Sequence, residues 1–299
     1  MELQFTPDAA AFLAAAGSYL AADPVLSTVV TTLADRQVTQ RADGVPLPDD
    51  QWFLTVRNGA GVVGAAMRTA TFGRRPAYLL PMPAAAPLEL ARVLHARGEL
   101  LTAAHGVLPV AAELLTELAR LAGHGTVRTR VRTRLFELGT LEPPLGVPGA
   151  LRAVRPDEAE LAGTWLGAFN ADIAAESGHG PDEERGEPVA DDIRYRIAKG
   201  RLWFWEHDGQ PVHLTGVNPP ASGVARIGPV YTPPGQRGRG WASAAVAEAS
   251  RVLAAGGARV CLFTDLANPT SNKIYQRIGY RPVTDMVELV LDGPGLPSH

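Results

Sequence analysis

A glycine-rich turn between an apolar strand and a helix holds the residues in this chain best suited to chemistry. Val224 to Thr232 has the pattern of a strand, Pro233-Pro234 ends it, and Gln236-Arg237-Gly238-Arg239-Gly240-Trp241-Ala242 leads into a helix predicted from Ser243 to Ala255. The N–H groups in the first turn of a helix lack intrahelical partners, and the helix dipole favours an anion beside them. Because glycines let the backbone approach such an anion closely, the turn predicts a diphosphate site.

Two other interpretations of this turn stay open. Gly238-x-Gly240-x-x-Ser243 fits part of a dinucleotide-binding fingerprint, but that site normally lies in the first turn of a parallel βαβ unit, with an acidic residue about 20 positions later. Here the turn follows several predicted strands that include a hairpin. The other alternative is a surface turn with glycines at a helix start, which needs no ligand.

A second polar motif lies downstream of the turn. Cys261 to Asp265 has the pattern of a short apolar strand, and Asn268-Pro269-Thr270-Ser271-Asn272 then begins a helix that carries Tyr275 and ends near Gly279. These residues suit a helix start and a helix C-cap, so a purely structural account exists. The order of the two motifs nevertheless indicates that Asn268 and Tyr275 share a site with the glycine-rich turn.

Together the two motifs resemble those of the GCN5-related N-acetyltransferase (GNAT) family. Arg237-x-x-Gly240-x-Ala242 is similar to the acetyl-CoA signature of that family, and Asn268 to Tyr280 is similar to its later Asn-x-x-Ser-Asn-x-Ile-Tyr-x-x-x-Gly-Tyr motif. The resemblance extends over residues 150 to 291. It implies that backbone amides of the turn hold the coenzyme A diphosphate and that a splayed strand, Val230 to Thr232, pairs with the pantetheine arm.

The resemblance also implies individual site residues. Tyr275 would be the general acid that protonates the departing thiolate, since a phenol with a pKa of about 10 can donate to a thiolate of comparable basicity. A half-buried packing residue is the alternative for this tyrosine. No metal is expected, and the implied cofactor contacts are Val230, Tyr231, Thr232, Arg237, Gly238, Arg239, Gly240, Trp241, Ala242, Ser243 and Asn268.

The residue that would deprotonate the acceptor amine is unassigned. Some GNAT enzymes use a glutamate on the strand before the asparagine, and Phe263 stands at the matching position here. Asp265, Glu206 and Glu176 are alternatives, each equally compatible with an ordinary surface carboxylate. His213 alternates onto one face of a predicted strand, and this pattern favours a packed core histidine.

An acidic segment follows the first helix of the C-terminal half, where the family has the loop that lines the acceptor entrance. It could attract a cationic amine or simply be a solvated loop. We expect the acceptor to be an amine of a small molecule or a peptide. The acidic residues are Glu176, Asp182, Glu183, Glu184 and Glu187.

The order of predicted elements occurs twice along the chain. Phe53 to Val56 runs into the hairpin turn Asn58-Gly59, and about 149 residues later Leu202 to Trp205 runs into Asp208-Gly209. Such repetition indicates a duplicated α+β unit, with two unrelated α/β domains as the alternative. Two further segments recur at similar spacing: Leu3 to Phe5 with Leu151 to Val154, and Leu135 to Leu138 with Val287 to Val290.

The repeat predicts two tandem GNAT-like domains of the α+β class, each a mixed, mainly antiparallel sheet flanked by helices. The expected domains are residues 1–142 and 150–299, with a Pro- and Gly-rich linker at about 139–149. In the first half, Pro83 to Leu88 stands where the turn should recur and holds no glycine. No tyrosine lies near Ala119, where a counterpart of Tyr275 would fall. We therefore expect one cofactor per chain.

Four arginines alternate along a predicted strand of the first half, which places them on one face. A solvated or salt-bridged sheet face is the default interpretation. An anionic acceptor bound between the halves is the alternative. These residues are Arg128, Arg130, Arg132 and Arg134.

Composition sets further limits. The 299 residues, 46% of them hydrophobic and 20% charged, suit an ordinary globular chain of about two domains. The net charge of −3 offers no general attraction for nucleic acid or an anionic membrane. A single cysteine excludes an intrachain disulfide or a cysteine-rich metal cluster and suits a reducing compartment.

The chain shows no targeting or membrane signal. The apolar stretch Ala9 to Ala22 follows Asp8 and lacks the basic residues that precede a signal sequence. No apolar run is long enough to cross a bilayer. We expect a cytoplasmic protein without nucleic acid or membrane partners, and a homodimer stays open.

These observations predict an N-acetyltransferase that moves the acetyl group of acetyl-CoA directly to an amine. An acyl-enzyme is not expected, because Cys261 in an apolar strand is a poor nucleophile. The alternative is a non-catalytic acetyl-CoA or coenzyme A sensor or interaction module. The missing base favours that alternative, and Tyr275 opposes it.

Overall fold

The computed structural model describes residues 1–47, 51–59, 61–68, 76–176 and 190–293 of the chain. Asp182, Glu183, Glu184 and Glu187 of the acidic segment, and the side chain of Glu176, lie outside the described residues. The chain divides into two compact units. The first unit comprises Met1–Thr133 together with Thr284 and the residues after it, and the second comprises Arg134–Val283.

The N-terminal half of the chain alternates strands and helices in the order predicted for the repeat. Its elements are β1 (Glu2–Thr6), α1 (Ala9–Ala22), α2 (Thr28–Ala42), β2 (Trp52–Asn58), β3 (Gly61–Arg68), β4 (Ala77–Leu79), α3 (Ala85–Ala96), β5 (Ala103–Gly106), α4 (Val110–Ala122) and β6 (Thr126–Leu138).

The C-terminal half repeats this order of elements. They are β7 (Ala150–Ala153), α5 (Ala159–Glu176), α6 (Ala190–Ala198), β8 (Leu202–His207), β9 (Gln210–Ala221), β10 (Val224–Tyr231), α7 (Trp241–Ala255), β11 (Arg259–Asp265), α8 (Pro269–Arg277) and β12 (Tyr280–Asp292).

Each unit holds a mixed, mainly antiparallel sheet, as the sequence predicts. In the first unit β1 to β4 form successive antiparallel pairs, β4 and β5 are parallel, and β5 pairs antiparallel with the end of β12. In the second unit β7 to β10 form successive antiparallel pairs, and β10 and β11 are parallel. Helices cover these sheets, so the predicted α+β class is confirmed.

Two strands carry the chain from one unit to the other. β6 begins in the first unit and ends in the second, with the change at Arg134, and β12 returns to the first unit at Thr284. The division therefore differs from domains of residues 1–142 and 150–299, because the end of β12 pairs with β5 through Val287 and Val290. A linear cut between two repeats cannot describe strands that serve both units.

The stretch expected as a linker, residues 139–149, is packed within the second unit. The N–H of Gly139 donates to the carbonyl of Gly279 at 3.0 Å, and the N–H of Glu142 donates to that of Ile278 at 3.1 Å. The Nε1–H of Trp205 donates to the carbonyl of Pro148 at 2.9 Å. These bonds satisfy backbone groups that a free linker would leave to water.

The arginine-rich face of β6 is salt-bridged, in line with the default interpretation. Arg128 pairs with Asp292, and Arg130 pairs with Glu288 at 3.0 Å, both within the first unit. Arg132 is exposed.

Within the described ranges, no helix is both long and apolar enough to cross a membrane. The same residues contain no group of three or more His, Cys, Asp or Glu side chains arranged to hold a metal ion.

Candidate functional site

The start of α7 presents open backbone donors beside the glycine-rich turn. Gly238 and Gly240 have φ values of 80° and 84°, a region that L-residues with side chains rarely adopt. The helix begins at Trp241, two residues before the predicted Ser243, because Gly240 serves as its N-cap. No side chain caps this end, and the first intrahelical bond runs from the N–H of Ala244 to the carbonyl of Gly240 at 3.0 Å.

Three N–H groups of the first turn of α7 therefore have no hydrogen-bond partner among the described residues. They belong to Trp241, Ala242 and Ser243. The partial positive charge of a helix N-terminus is concentrated on such donors. An anion placed here would receive several N–H bonds at once.

The two glycines and the tryptophan differ in what they contribute. A Cβ on Gly240 would lie 3.1 Å from Cγ2 of Val147, whereas a Cβ on Gly238 would meet open space. The side chain of Trp241 is only 4% exposed and packs with Trp205 and other apolar residues. Its part in a ligand site is therefore restricted to its backbone N–H.

The two arginines of the turn have different environments. The Nε–H of Arg237 donates to the carbonyl of Thr232 at 3.0 Å, and its Nη2 donates to Asp172 at 2.5 Å. The side chain of Arg237 is thus turned towards α5 rather than committed to the open amides. Arg239 is exposed beside them. Asp172 is 65 positions away in sequence, and no local signal could have identified it.

A gap opens between β10 and β11 next to the turn. The two parallel strands pair from Val224 with Arg259 as far as Ile227 with Leu262, and neither strand has a partner across the gap beyond that point in the described chain. The pairing of β10 with β9 shifts register between Ile227 and Val230, which marks a bulge at the same level. One edge of the residues after the bulge is therefore open to an extended ligand.

Gly216 on β9 makes the bulge possible. A Cβ at this position would lie 2.6 Å from Cδ of Pro229 and 2.8 Å from the carbonyl oxygen of Gly228. Such distances are shorter than van der Waals contact, so only glycine lets the bulged strand lie this close. Gly216 was not among the residues predicted from the sequence, because its contacts with Gly228 and Pro229 depend on how the two strands pair.

Tyr275 on α8 lies in the core of the second unit. It is 7% exposed and shares an apolar cluster with Ile227 and Leu262, the last paired residues of the two strands. Its ring centroid is 6.5 Å from that of Phe136 and 6.2 Å from that of Tyr280. Burial raises the pKa of Tyr275 to about 12, so the phenol stays protonated across the neutral range.

Asn268 caps α8. Its Oδ1 accepts the N–H of Ser271 at 3.0 Å, which is the structural role that the sequence allowed. Nδ2 of Asn272 donates at 2.8 Å to the backbone carbonyls of Asp265 and Asn268. Asn272 thus ties the end of β11 to the start of α8, a role that the sequence analysis did not assign.

His213 is a core histidine, as the sequence pattern favoured. It has 0% exposure, with Nδ1 at 2.7 Å from Oγ1 of Thr232 and Nε2 at 2.8 Å from Oγ1 of Thr215. Burial lowers its pKa to about 3, so the ring is neutral near pH 7. A base with so low a pKa does not deprotonate an alkylamine.

The carboxylates considered as bases have other partners. Glu206 accepts from Nε of Arg152 at 2.6 Å, and Asp265 accepts the N–H of Ala267 at 2.8 Å. Phe263 occupies β11 at the position that the family resemblance reserves for a glutamate. The described residues therefore leave the base unassigned.

The corresponding region of the first unit is closed. β4 and β5 pair through Leu79 and Gly106, the last residue of each strand. At the start of α3 the N–H of Ala86 donates to the carbonyl of Pro83 at 2.8 Å, and Pro87 has no N–H at all. Among the described residues, the first turn of α3 therefore leaves only the N–H of Ala85 without a partner, against three such groups at α7.

Comparison with known proteins finds a family match in the second unit. The profile of the Acetyltransferase (GNAT) family matches residues 167–280, all within that unit. No curated protein matches the chain in sequence.

Solved structures of similar fold extend over both units. A GCN5-related N-acetyltransferase from Sphaerobacter thermophilus has a TM-score of 0.57 at 16% identity, covering 98% of this chain and 97% of its own. A GNAT-family acetyltransferase from Colwellia psychrerythraea has a TM-score of 0.52 at 13% identity, covering 97% and 99%.

A tandem GNAT protein from the clavulanic acid biosynthesis pathway also has a TM-score of 0.52, at 15% identity, and covers 99% of this chain and 100% of its own. Residues 167–280 are thus a GNAT-family domain, and the chain as a whole has the tandem GNAT fold.

Proposed function

We propose that the chain is an N-acetyltransferase that moves the acetyl group of acetyl-CoA directly to an amine. The observation that carries this proposal is the start of α7, where the N–H groups of Trp241, Ala242 and Ser243 have no partner in the described residues. The positive φ values of Gly238 and Gly240 give the turn its open shape. A diphosphate fits this arrangement of donors and dipole.

The proposed cofactor contacts follow from two neighbouring features. The amides from Gly238 to Ser243 would bind the diphosphate, and exposed Arg239 adds positive charge. The open edge of the segment from Val230 to Thr232, at the end of β10, would hydrogen-bond the pantetheine arm as a further strand would. Arg237 would support the cofactor site indirectly, through its bonds to Thr232 and Asp172. Asn268 would support it by capping the start of α8.

Acetyl-CoA supplies an activated thioester when it is bound. The acceptor nitrogen forms a C–N bond to the acetyl carbon while the C–S bond breaks. The nitrogen releases one proton to solvent, and solvent returns one proton to Tyr275 after the transfer. Tyr275 donates its hydroxyl proton to the departing sulfur, a role supported by its position in the cluster with Ile227 and Leu262. The acceptor reacts as the free amine, because direct attack on a thioester needs the lone pair of the nitrogen.

Direct transfer is supported by the burial of the single cysteine. Cys261 has 0% exposure on β11, within the parallel pairing of that strand with β10. A thiol so placed cannot approach the thioester to form an acyl-enzyme. We further infer that the acceptor is an amine of a small molecule or peptide and that the protein acts in the cytoplasm.

A coenzyme A sensor without turnover is the second candidate, and Phe263 at the position of a family base favours it. Release of coenzyme A thiol from acetyl-CoA in the presence of a panel of amines separates the two. The transferase releases thiol with at least one amine. A sensor binds acetyl-CoA but releases none with every amine tested.

Tyr275→Phe tests the proton donor in the same assay. We expect turnover to fall by about 100-fold, because a positioned general acid contributes on that scale. The affinity for coenzyme A should stay within about twofold, since the ring and its packing remain. An unchanged turnover number would contradict the assignment.

A further inference from the structure

His213 sits at the point where the ladder between β9 and β10 ends. The last backbone pair in the register is Tyr231 with Leu214, so the next opposed residues are Thr232 and His213. Pro233 follows and has no N–H, so the ladder cannot continue past this point. The side-chain bond between Nδ1 of His213 and Oγ1 of Thr232 replaces the missing backbone bonds.

Thr232 is held from a second side as well. Its carbonyl accepts Nε of Arg237 at 3.0 Å, and Arg237 in turn binds Asp172. Thr232 thus connects the open edge of β10 to the glycine-rich turn. Movement of this residue would change the distance between the places where the pantetheine arm and the diphosphate of one cofactor would bind.

We propose that His213 is a positioning residue for coenzyme A, which fixes Thr232 and thereby sets the span from the open edge of β10 to the first amides of α7. The inference rests on the proposed function. The other ring nitrogen, Nε2, lies 2.8 Å from Oγ1 of Thr215, on the same strand. The ring is fully buried, so it would act on the cofactor only through Thr232.

Two amide substitutions separate the two bonds of His213. The amide of an asparagine lies near the place of Nδ1, and that of a glutamine extends to the place of Nε2. His213→Asn should therefore keep the bond to Thr232 and lose the one to Thr215, while His213→Gln should do the opposite. Both remove the aromatic ring, so both should lower the melting temperature.

The readout is the dissociation constant of coenzyme A, measured by calorimetry, with steady-state kinetics on acetyl-CoA. We expect His213→Gln to weaken binding by about tenfold and to raise KM in proportion, with kcat within about twofold. His213→Asn should bind within about twofold of the unsubstituted protein. A merely structural histidine would give equal losses in both variants.

A matched pair of valine substitutions tests the bond between His213 and Thr232 by changing the threonine instead of the histidine. Thr232→Val should weaken coenzyme A binding by about fivefold, and Thr215→Val should leave it within about twofold. His213→Gln added to Thr232→Val should bring little further loss, because both remove one interaction. Additive losses would show that His213 acts elsewhere.

Two results would overturn the inference in distinguishable ways. If the unsubstituted protein does not bind coenzyme A, the proposed function fails and the positioning role fails with it. If it binds but the asparagine and glutamine variants have equal affinities, only the positioning role fails.

Discussion

The two units begin their matching helices, α3 and α7, in opposite ways. Each helix follows a strand that pairs in parallel with the next strand of its sheet. At α7, three first-turn amides have no partner in the described chain, whereas at α3 Pro83 accepts the N–H of Ala86 and Pro87 supplies none. The two helices thus begin at equivalent places in their units, and local residues decide whether open N–H donors remain there.

The parallel strands beside these helices also differ, in how far along their length they stay paired. β4 and β5 stay paired to the last residue of each, and a Cβ on Gly106 would lie 2.8 Å from the carbonyl oxygen of Leu79. β10 and β11 separate after Ile227 and Leu262. Backbone pairing therefore closes the space between β4 and β5 in the first unit, whereas the space between the ends of β10 and β11 stays open in the second.

A third difference lies on β3 and β9. Gly64 and His213 are each three residues after the first residue of their strand. In the first unit the space beside Gly64 is filled, since a Cβ there would lie 2.4 Å from Cβ of Met82. In the second unit His213 fills the corresponding position and bonds Thr232. The glycine serves packing, and the histidine holds the end of β10.

Gly240→Ala should produce the largest effect on the difference between the helices. We expect coenzyme A affinity to fall by about 30-fold or more, because the backbone leaves its φ of 84° and the new Cβ meets Val147. Gly257→Ala is the matched control, with the same φ of 84° and open space around its Cβ. Titration calorimetry on both variants checks this; equal losses of affinity would place the effect in general destabilisation.

Buried His213 should make the stability of the second unit depend on pH, whereas Gly64 at the corresponding position of the first unit has no group that titrates. The pKa of His213 falls from 6.5 to about 3 on folding. The neutral ring therefore contributes fully to the free energy of unfolding above pH 6.5, and this contribution is lost as the pH falls towards 3. Over that interval we expect up to about 4 kcal/mol of the free energy of unfolding to disappear.

Urea unfolding across this pH range measures the effect. His213→Asn should flatten the curve, and His124→Asn, which changes an exposed histidine of the first unit, should leave it unaltered. If all three proteins lost stability in parallel between pH 6.5 and 3, His213 would not be the group responsible.

A pair of alanine substitutions gives the smallest effects and separates packing from binding. Gly64→Ala and Gly216→Ala each introduce a Cβ within 3 Å of a neighbouring atom, and each should lower the free energy of unfolding by about 2 kcal/mol. Only Gly216→Ala, which displaces the bulge at Gly228, should also weaken coenzyme A binding, by about fivefold. Denaturation and calorimetry on both variants test this. Loss of binding in Gly64→Ala would contradict the view that Gly64 serves packing alone.

Local features of the fold could be predicted because their causes lie within a few residues. Asp208 and Gly209 have φ values of 48° and 70°, as their hairpin turn requires. Gly279 ends the last helix with a φ of 100°, and a Cβ there would lie 1.9 Å from the carbonyl oxygen of Thr140. The glycine-rich turn and the Asn268 cap likewise follow from nearby residues.

Other features could not be predicted because distant residues decide them. The bond of Arg237 to Asp172 depends on where α5 packs, and the burial of Trp241 depends on Trp205. The passage of β6 and β12 between units depends on which strands pair, which periodicity does not specify. The helix start at Trp241 was missed because glycine as an N-cap gives a weaker signal than a polar side chain.

Amide hydrogen exchange with and without coenzyme A tests the central claim most directly, since it follows both helix starts in one experiment. We expect saturating coenzyme A to slow exchange at the amides from Gly238 to Ser243 by about tenfold or more and to leave the amides from Ala84 to Leu88 unchanged. Unaltered exchange from Gly238 to Ser243, or equal slowing at both helices, would contradict it.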